Sequence, residues 1–153
     1  FRIMNYLFSG VGDNYQITKS IDSFKSGGIF GQGIGEGMIS KKLPDSHSDF
    51  VYALISEELG IVVAIIILFL YMIPYIRVHY ICQRSSNLFM ITSLTGLSNI
   101  FLFQTIINIS STLNIIPTKG MTLPFISYGG SSLFSSALLI GFILALIKDD
   151  INE

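Results

Sequence analysis

Three long apolar stretches constrain this chain more than any other feature of its sequence. They run from about residue 50 to 76, from 88 to 109 and from 125 to 147. A helix needs about 20 predominantly apolar residues to cross the hydrocarbon core of a bilayer. Backbone groups inside that core must be paired within the chain, which a helix achieves by itself. The sequence therefore predicts an all-α integral membrane protein with three transmembrane helices.

Composition supports this class and excludes several others. Half of the residues are hydrophobic and only 12% are charged, whereas about 25% of a soluble domain is charged. The net charge of −1 and the lack of a basic run exclude nucleic acid as a partner. The single cysteine, Cys82, has no partner for a disulfide, and no His/Cys cluster has zinc-ligand spacing. Membrane lipid is therefore the expected surrounding.

Residues 1–49 are rich in glycine and polar side chains, and they are too numerous for a simple connection. They predict a structured loop outside the membrane. Within it, Tyr15 to Phe24 places apolar side chains at roughly helical spacing, which predicts a short amphipathic helix on the membrane surface, ended by Gly27 and Gly28. Because the first residues resemble neither a translational start nor a signal peptide, we expect a piece of a longer protein.

The two shorter connections differ in charge. Residues 77–87 contain two arginines and a histidine, whereas residues 110–124 contain only Lys119. The excess of basic residues in cytoplasmic loops places 77–87 in the cytoplasm. Lys41 and Lys42 stand beside the first helix on the opposite side and weaken that assignment.

Carboxylates and an imidazole concentrate where the first loop meets the first helix. Ser48 and Asp49 stand at the helix start, where they are expected to bind free amide groups and to favour the positive end of the helix dipole. Asp49, beside His47 at the edge of the apolar layer, is also suited to accept a proton from a substrate hydroxyl. The residues alone leave both roles open.

Glu57 and Glu58 follow two turns later. As neighbours on a helix they point about 100° apart, so at most one of them shares the face of Asp49. A charge within a spanning helix costs about 2.5–3.5 kcal/mol on insertion scales and usually faces a cavity or a partner. The alternative is that both glutamates lie among the headgroups and that the apolar core begins at Leu59.

Glycine recurs through residues 27–37. No predicted strand precedes this segment and no GK[ST] ends it, so the context of a phosphate-binding loop is missing. The pattern predicts a tight irregular backbone and leaves contact with a diphosphate open.

Two further segments carry polar groups near the apolar stretches. Gln104 and Asn108 are four residues apart on one helix face, where amides usually bind neighbouring helices. Residues 116–132 form a loop held by two prolines, with Lys119 as its only charge and small hydroxylated residues after it. Lys119 suits either a solvated anchor or a phosphate ligand.

These segments carry a family resemblance. The chain resembles the carboxy-terminal part of the SEDS proteins (shape, elongation, division and sporulation). The matching residues are Gly27-Gly28 through Gly37, Leu43 through Phe50 with Glu57-Glu58-Leu59-Gly60, Gln104 with Asn108, and Pro117-Thr118-Lys119-Gly120 through Ser132. The Thr118-Lys119 pair is similar to that of the division branch of the family rather than the elongation branch, and Ser48 replaces a common threonine.

The resemblance implies a ten-helix enzyme of the bacterial inner membrane that polymerises peptidoglycan glycan strands from lipid II. Residues 1–49 then resemble the large extracytoplasmic loop after the seventh helix, and the three apolar stretches resemble helices eight to ten. Residues 77–87 and 148–153 would be cytoplasmic, and 110–124 extracytoplasmic.

The resemblance also implies roles for individual residues. Asp49 matches the catalytic aspartate of the family, and Lys119 matches a lysine implicated in function. The further residues expected to bind substrate are Lys42, His47, Glu57, Gln104 and Ser127. A divalent cation, Mg or Mn, is the only cofactor expected. The expected partners are lipid II, a class B penicillin-binding protein and other membrane proteins of the divisome.

Because helices that match the first six or seven of the family are absent from this sequence, the 153 residues alone are expected to be inactive.

Two other function classes remain. The chain could instead be a non-catalytic scaffold that docks a class B penicillin-binding protein. Polar residues and broken helices at membrane depth also suit a lipid II flippase, which would not need a base at Asp49.

Overall fold

The computed structural model describes residues 13–37, 48–116 and 120–152 of the chain. Within these residues it contains four α-helices and no strand: α1 (Asp13–Gly27), α2 (Val51–Cys82), α3 (Leu88–Thr112) and α4 (Gly130–Asn152). The last three are long and apolar enough to cross a membrane. The all-α class with three membrane helices is therefore confirmed.

Helix α2 is interrupted at Gly60, whose backbone is not helical (φ 88°, ψ 169°). Two helical segments, 51–59 and 61–82, meet there at a bend. The Tyr52 hydroxyl donates a hydrogen bond to the Ala64 carbonyl at 3.0 Å. Twelve residues of straight helix span about 18 Å, beyond the reach of a tyrosine, so this contact requires the bend. Residues 61–82 alone span about 33 Å at 1.5 Å per residue, which suffices for a hydrocarbon core of about 30 Å.

Several helix boundaries differ from the sequence prediction: α3 ends at Thr112 rather than at 109, and α4 continues to Asn152, through most of the tail predicted at 148–153. The first apolar stretch was expected to be one helix from 50 to 76, but it breaks at Gly60 and continues to Cys82. The connection before α3 is correspondingly shorter than 77–87. The last helix begins at Gly130 rather than at 125, because Phe125 has a left-handed backbone (φ 64°) that does not continue a helix.

The glycine-rich segment 27–33 fills the break in α2. The Gln32 and Gly33 amides donate to the carbonyls of Glu57 and Glu58, at 2.9 and 3.0 Å. The Ile61 amide donates to the Gly28 carbonyl at 3.1 Å. The segment thus caps the end of 51–59 and the start of 61–82, whose backbone groups lack helical partners. The prediction of a tight irregular backbone is confirmed.

Helix α1 contains the predicted short helix and ends at Gly27, as expected. It packs against the 51–59 segment, where the rings of Phe24 and Tyr52 lie 5.9 Å apart. The Ser20 hydroxyl donates to the carbonyl of Thr112 at the end of α3, at 3.0 Å. The break, α1 and the end of α3 therefore lie at the same end of the bundle.

Two apolar clusters hold the three long helices together. The cluster nearer α1 includes Tyr71, Phe101, Ile109 and Leu123. The other lies towards the turn between α2 and α3 and is formed by Val78, Cys82, Met90, Leu94 and Ile143. The Asn87 side chain accepts from the Phe89 and Met90 amides and caps α3 there. The remaining faces of the helices are exposed and apolar.

The break predicts opposite effects for two glycine substitutions. A Cβ at Gly60 would lie 2.3 Å from the Ile29 carbonyl oxygen, and its positive φ is strained for any other residue. Gly60→Ala should therefore lower the free energy of unfolding by about 1–3 kcal/mol or more. The matched control is Gly96→Ala in α3, where a Cβ meets nothing within 4 Å, so stability should be unchanged or rise by up to about 1 kcal/mol. Thermal unfolding in detergent measures both, and equal effects would contradict a tightly packed break.

Candidate functional site

Asp49 stands immediately before the 51–59 segment, next to the N-cap position, Phe50. The Phe50 side chain makes no capping hydrogen bond and the first turn contains no acidic residue, so Asp49 lies one position outside the helix. The Phe50 carbonyl accepts the first hydrogen bonds of the helix, from the Ala53 amide at 3.0 Å and the Leu54 amide at 3.2 Å. The Asp49 side chain is half-buried.

Asn108 on α3 holds the backbone at Asp49. Its Nδ2 donates to the Asp49 carbonyl at 3.1 Å and to the Met121 carbonyl. The side chain is 1% exposed. One amide group thus joins the start of α2 to the loop before α4.

Ser127 makes a second link between the same two segments. Its hydroxyl donates to the Ser48 carbonyl at 2.6 Å and accepts from the Leu123 amide at 2.7 Å. Ser127 is also buried. The two residues before Phe50 are therefore each tied, through a side chain, to the loop that precedes α4.

Residues 120–129 form an irregular loop with paired backbone groups. Gln104 Nε2 donates to the Thr122 carbonyl at 3.1 Å, and the Tyr71 hydroxyl donates to the Pro124 carbonyl. The Leu123 carbonyl accepts from the Ser127 amide at 3.1 Å. With Met121 bound by Asn108, four consecutive carbonyls from 121 to 124 have donors. This pairing allows non-helical backbone at membrane depth.

The Asp49 carboxylate borders this loop. A Cβ added at Gly120 would lie 3.3 Å from Asp49 Oδ2, and Gly120 has a positive φ of 64°. The positive φ favours glycine there, and a Cβ would make a tight contact with the carboxylate. The residue that precedes Gly120 in the sequence is Lys119, which lies outside the described residues.

A cavity of about 650 Å³ lies beside the Asp49 segment. Val51, Ser127 and Leu133 line it, together with the loop residues from Phe125 to Gly130. A second cavity of about 390 Å³ lies between α2, α3 and α4 and has an apolar lining. Phe125 and Ile126 contribute to both linings. The strained backbone of Phe125 thus lies between the two cavities.

Glu57 is fully buried in the 51–59 segment, with 0% of its surface exposed, whereas Glu58 is half-buried. A buried carboxylate is costly unless it is paired. Burial favours the interpretation in which this glutamate faces a partner group over the one that places it among headgroups. The neighbouring Gly27 packs against the backbone of Ser56 and Glu57, where a Cβ would approach to 2.0 Å.

The structure brings together only some of the predicted site residues. Asp49, Gln104 and Ser127 meet through the loop 120–127, and Glu57 lies two turns further along α2. Lys42, His47 and Lys119 lie outside the described residues. In the described part of the chain, no three His, Cys, Asp or Glu side chains lie close enough to share a metal ion.

The sequence did not indicate the roles of Tyr71 and Phe125 in this site, and it indicated only part of the role of Asn108. Asn108 was expected to bind a neighbouring helix, but its amide binds carbonyls outside the helices, at Asp49 and Met121. The Tyr71 hydroxyl binds the loop, and a tyrosine in the middle of an apolar stretch could have indicated a polar partner there. Nothing in the sequence signals the left-handed backbone of Phe125.

The double hydrogen bond of Asn108 predicts a stability effect. Asn108→Ala should lower the free energy of unfolding by about 1–3 kcal/mol, because two partly buried carbonyls lose their donor. Asn99→Ala, the same change on the same helix at a half-buried position, should cost less. Thermal unfolding of the two variants in detergent provides the comparison, and equal losses would show that Asn108 does not carry this link.

Comparison with known proteins identifies a family for this chain. The model of the FtsW/RodA/SpoVE family, described as cell cycle proteins, matches residues 2–151. A protein of Caulobacter vibrioides named "Probable peptidoglycan glycosyltransferase FtsW" is 39% identical over 96% of the chain and 38% of its own length. Its namesake from Coxiella burnetii is 40% identical over 92% of the chain and 39% of its own length. The chain thus spans a little over a third of these curated relatives.

A solved structure has the same fold over most of the chain. It is known as "Structural coordination of polymerization and crosslinking by a peptidoglycan synthase complex". The match has a TM-score of 0.71 and 28% identity, and it covers 89% of this chain and 38% of that one. With three helices suited to cross a membrane, this is part of a multi-pass membrane protein. The chain belongs to the FtsW/RodA/SpoVE family of cell cycle proteins.

Proposed function

We propose that this chain is part of a peptidoglycan glycosyltransferase of the cell-division machinery, which polymerises glycan strands from lipid II. One observation carries the proposal: the Asp49 carboxylate borders the loop 120–127, whose residues 125–127 line a cavity of about 650 Å³, and the carbonyls of Ser48 and Asp49 are anchored by Ser127 and Asn108. A carboxylate on an anchored backbone, close to such a cavity, suits a base that acts on a lipid-linked sugar. The names of the two relatives described above support the same activity.

In this mechanism Asp49 accepts the proton of the acceptor sugar's 4-hydroxyl. The hydroxyl oxygen forms a bond to the anomeric carbon of the donor, and the bond from that carbon to undecaprenyl diphosphate breaks. The electron pair of the broken bond leaves with the diphosphate. Lys119, one residue before the glycine that contacts Asp49, stabilises the charge that develops on this leaving group.

The contacts of Gln104 and Ser127 suggest positioning rather than substrate binding. The Gln104 amide nitrogen binds the Thr122 carbonyl, and the Ser127 hydroxyl both donates to and accepts from the backbone. Together with Asn108, these side chains keep the loop and the Asp49 segment in one fixed arrangement. Binding energy is then not spent on ordering the site when substrate arrives.

The proposed location is the bacterial inner membrane, with Asp49 on the extracytoplasmic side. The turn between α2 and α3 includes Arg84 and lies at the opposite end of the 61–82 segment from the break, which agrees with a cytoplasmic position. The proposed partners are a class B penicillin-binding protein and other divisome membrane proteins. The similar solved structure is named for a peptidoglycan synthase complex, which supports a partner of this kind.

A flippase is the alternative function that a broken helix such as α2 could indicate. Transporters often place broken helices, with their free backbone groups, at the substrate site. In this chain the groups at the break are bound by residues 28–33, so they are not available to a substrate. The break therefore supports the flippase less than the site at Asp49 supports the transferase.

Substitution of Asp49 tests the proposal in the full-length protein. Asp49→Ala and Asp49→Asn should each lower the rate of lipid II polymerisation by about 10²–10⁴-fold, because both remove the base. The assay measures glycan strands formed by the purified protein in liposomes, together with its class B partner.

The control is Asp22→Ala in α1, where the carboxylate is 38% exposed and lies 4.0 Å from Lys19. This variant should polymerise at the normal rate. Normal polymerisation by Asp49→Asn would refute the transferase assignment. If the unsubstituted protein and Asp49→Asn both form no glycan strands but translocate lipid II, the flippase is favoured, and if both only bind the class B partner, the scaffold is favoured.

A further inference from the structure

The segment 28–34, hereafter the break loop, exposes large apolar side chains. Phe30 is 87% exposed, Ile34 82% and Ile29 61%. These three side chains project from a loop that the sequence led us to expect outside the membrane. Apolar surface of this kind is unfavourable in water and marks an interaction site when it is contiguous.

The backbone of the break loop is irregular and is held by protein at four positions. The amides of Gly31, Gln32 and Gly33 all donate hydrogen bonds, to the carbonyls of Gly27, Glu57 and Glu58. The Gly28 carbonyl accepts from Ile61. Irregular backbone enters the apolar layer of a bilayer only where its polar groups are bound by protein. The backbone of the break loop therefore suits the boundary with the headgroups, from which its apolar side chains can reach the acyl chains.

The position of the break loop indicates what covers it. The loop caps the first residue of the 61–82 segment, where this membrane helix begins. The next residues on the helix, Ile61, Val62 and Ile65, are each exposed by 44 or 45%. The apolar surface of the loop thus continues directly into the exposed apolar surface of a membrane helix. Lys25 and Glu36 flank the loop and are exposed, as suits residues at headgroup level.

We propose that the break loop inserts Ile29, Phe30 and Ile34 into the lipid acyl chains of the leaflet on the Asp49 side. The loop then acts as a membrane anchor beside the site. It holds the bend at Gly60 at the boundary between hydrocarbon and headgroups. The 51–59 segment, which begins just after Asp49, is thereby kept near the membrane surface.

The sequence offers a direct test, because the chain contains no tryptophan. A Phe30→Trp variant of the full-length protein, in which any tryptophan outside these 153 residues is replaced by phenylalanine, carries a single fluorophore in the break loop, and the high exposure of Phe30 makes the exchange easy to accommodate. The full chain is reconstituted into phosphatidylcholine vesicles whose acyl chains are brominated near the headgroup. Bromine quenches tryptophan only at close contact, so quenching reports insertion.

Three further single-tryptophan variants complete the experiment. Ile65→Trp on the membrane helix is the positive control, Lys25→Trp at the end of α1 is the headgroup-level reference, and Ile34→Trp is a second probe of the same loop. Phe30→Trp and Ile34→Trp should be quenched by bromolipid nearly as strongly as Ile65→Trp. Lys25→Trp should be quenched by bromolipid less, and by iodide added to the water more, than the two loop probes.

Two outcomes would overturn the proposal. If iodide quenches both loop probes and bromolipid does not, the loop lies in water. If neither quencher reaches them while Ile65→Trp responds normally, the loop is covered by protein, either another part of a longer chain or a second copy. Phe30→Trp and Ile34→Trp must give the same result, so that a substitution that disturbs the structure of one variant cannot determine the conclusion.

Discussion

The structure depends on one constraint: a helix that breaks at the edge of a bilayer must find new partners for its backbone groups. The break at Gly60 frees the carbonyls of Glu57 and Glu58 and the amide of Ile61. Each unpaired group in lipid costs several kcal/mol. The glycine-rich segment supplies donors and an acceptor at the required spacing. Its glycines are needed because the two backbones approach too closely for side chains, as the 2.2 Å between a Cβ at Gly31 and the Glu58 carbonyl oxygen shows.

The irregular loop before α4 meets the same constraint in a different way. Its carbonyls are bound mainly by side chains from α2 and α3, namely Tyr71, Gln104 and Asn108. Backbone pairing at the break fixes two chain segments in register, whereas side-chain donors fix a loop to helices that are already packed. The second arrangement explains why amides occur within an otherwise apolar α3. The side-chain amides of Gln104 and Asn108 bind the loop before α4, which packing of the helices would not fix by itself.

The sequence was sufficient to place the membrane helices, the short helix α1 and the irregular glycine segment, because each has a distinct local pattern. It could not place the break. Gly60 lies within a continuous apolar stretch, and a single glycine there is compatible with an unbroken helix. The bend becomes visible only through contacts distant in sequence, such as Gly28 with Ile61. For the same reason Asn108 could be assigned to a polar face but not to the backbone of Asp49, 59 residues away.

The hydrogen bonds at the break and those of the loop before α4 fix opposite ends of one short helical segment, residues 51–59. Residues 48 and 49 are tied to Ser127 and Asn108, and residues 57 and 58 are tied to the break loop. The segment between them is too short to bend on its own, since it has little more than two helical turns. Asp49 is therefore placed by a rigid element fixed at both ends rather than by a free loop. A base that must meet a sugar hydroxyl within hydrogen-bond distance needs such placement, which links the break at Gly60 to the chemistry proposed for the carboxylate at the other end of the segment.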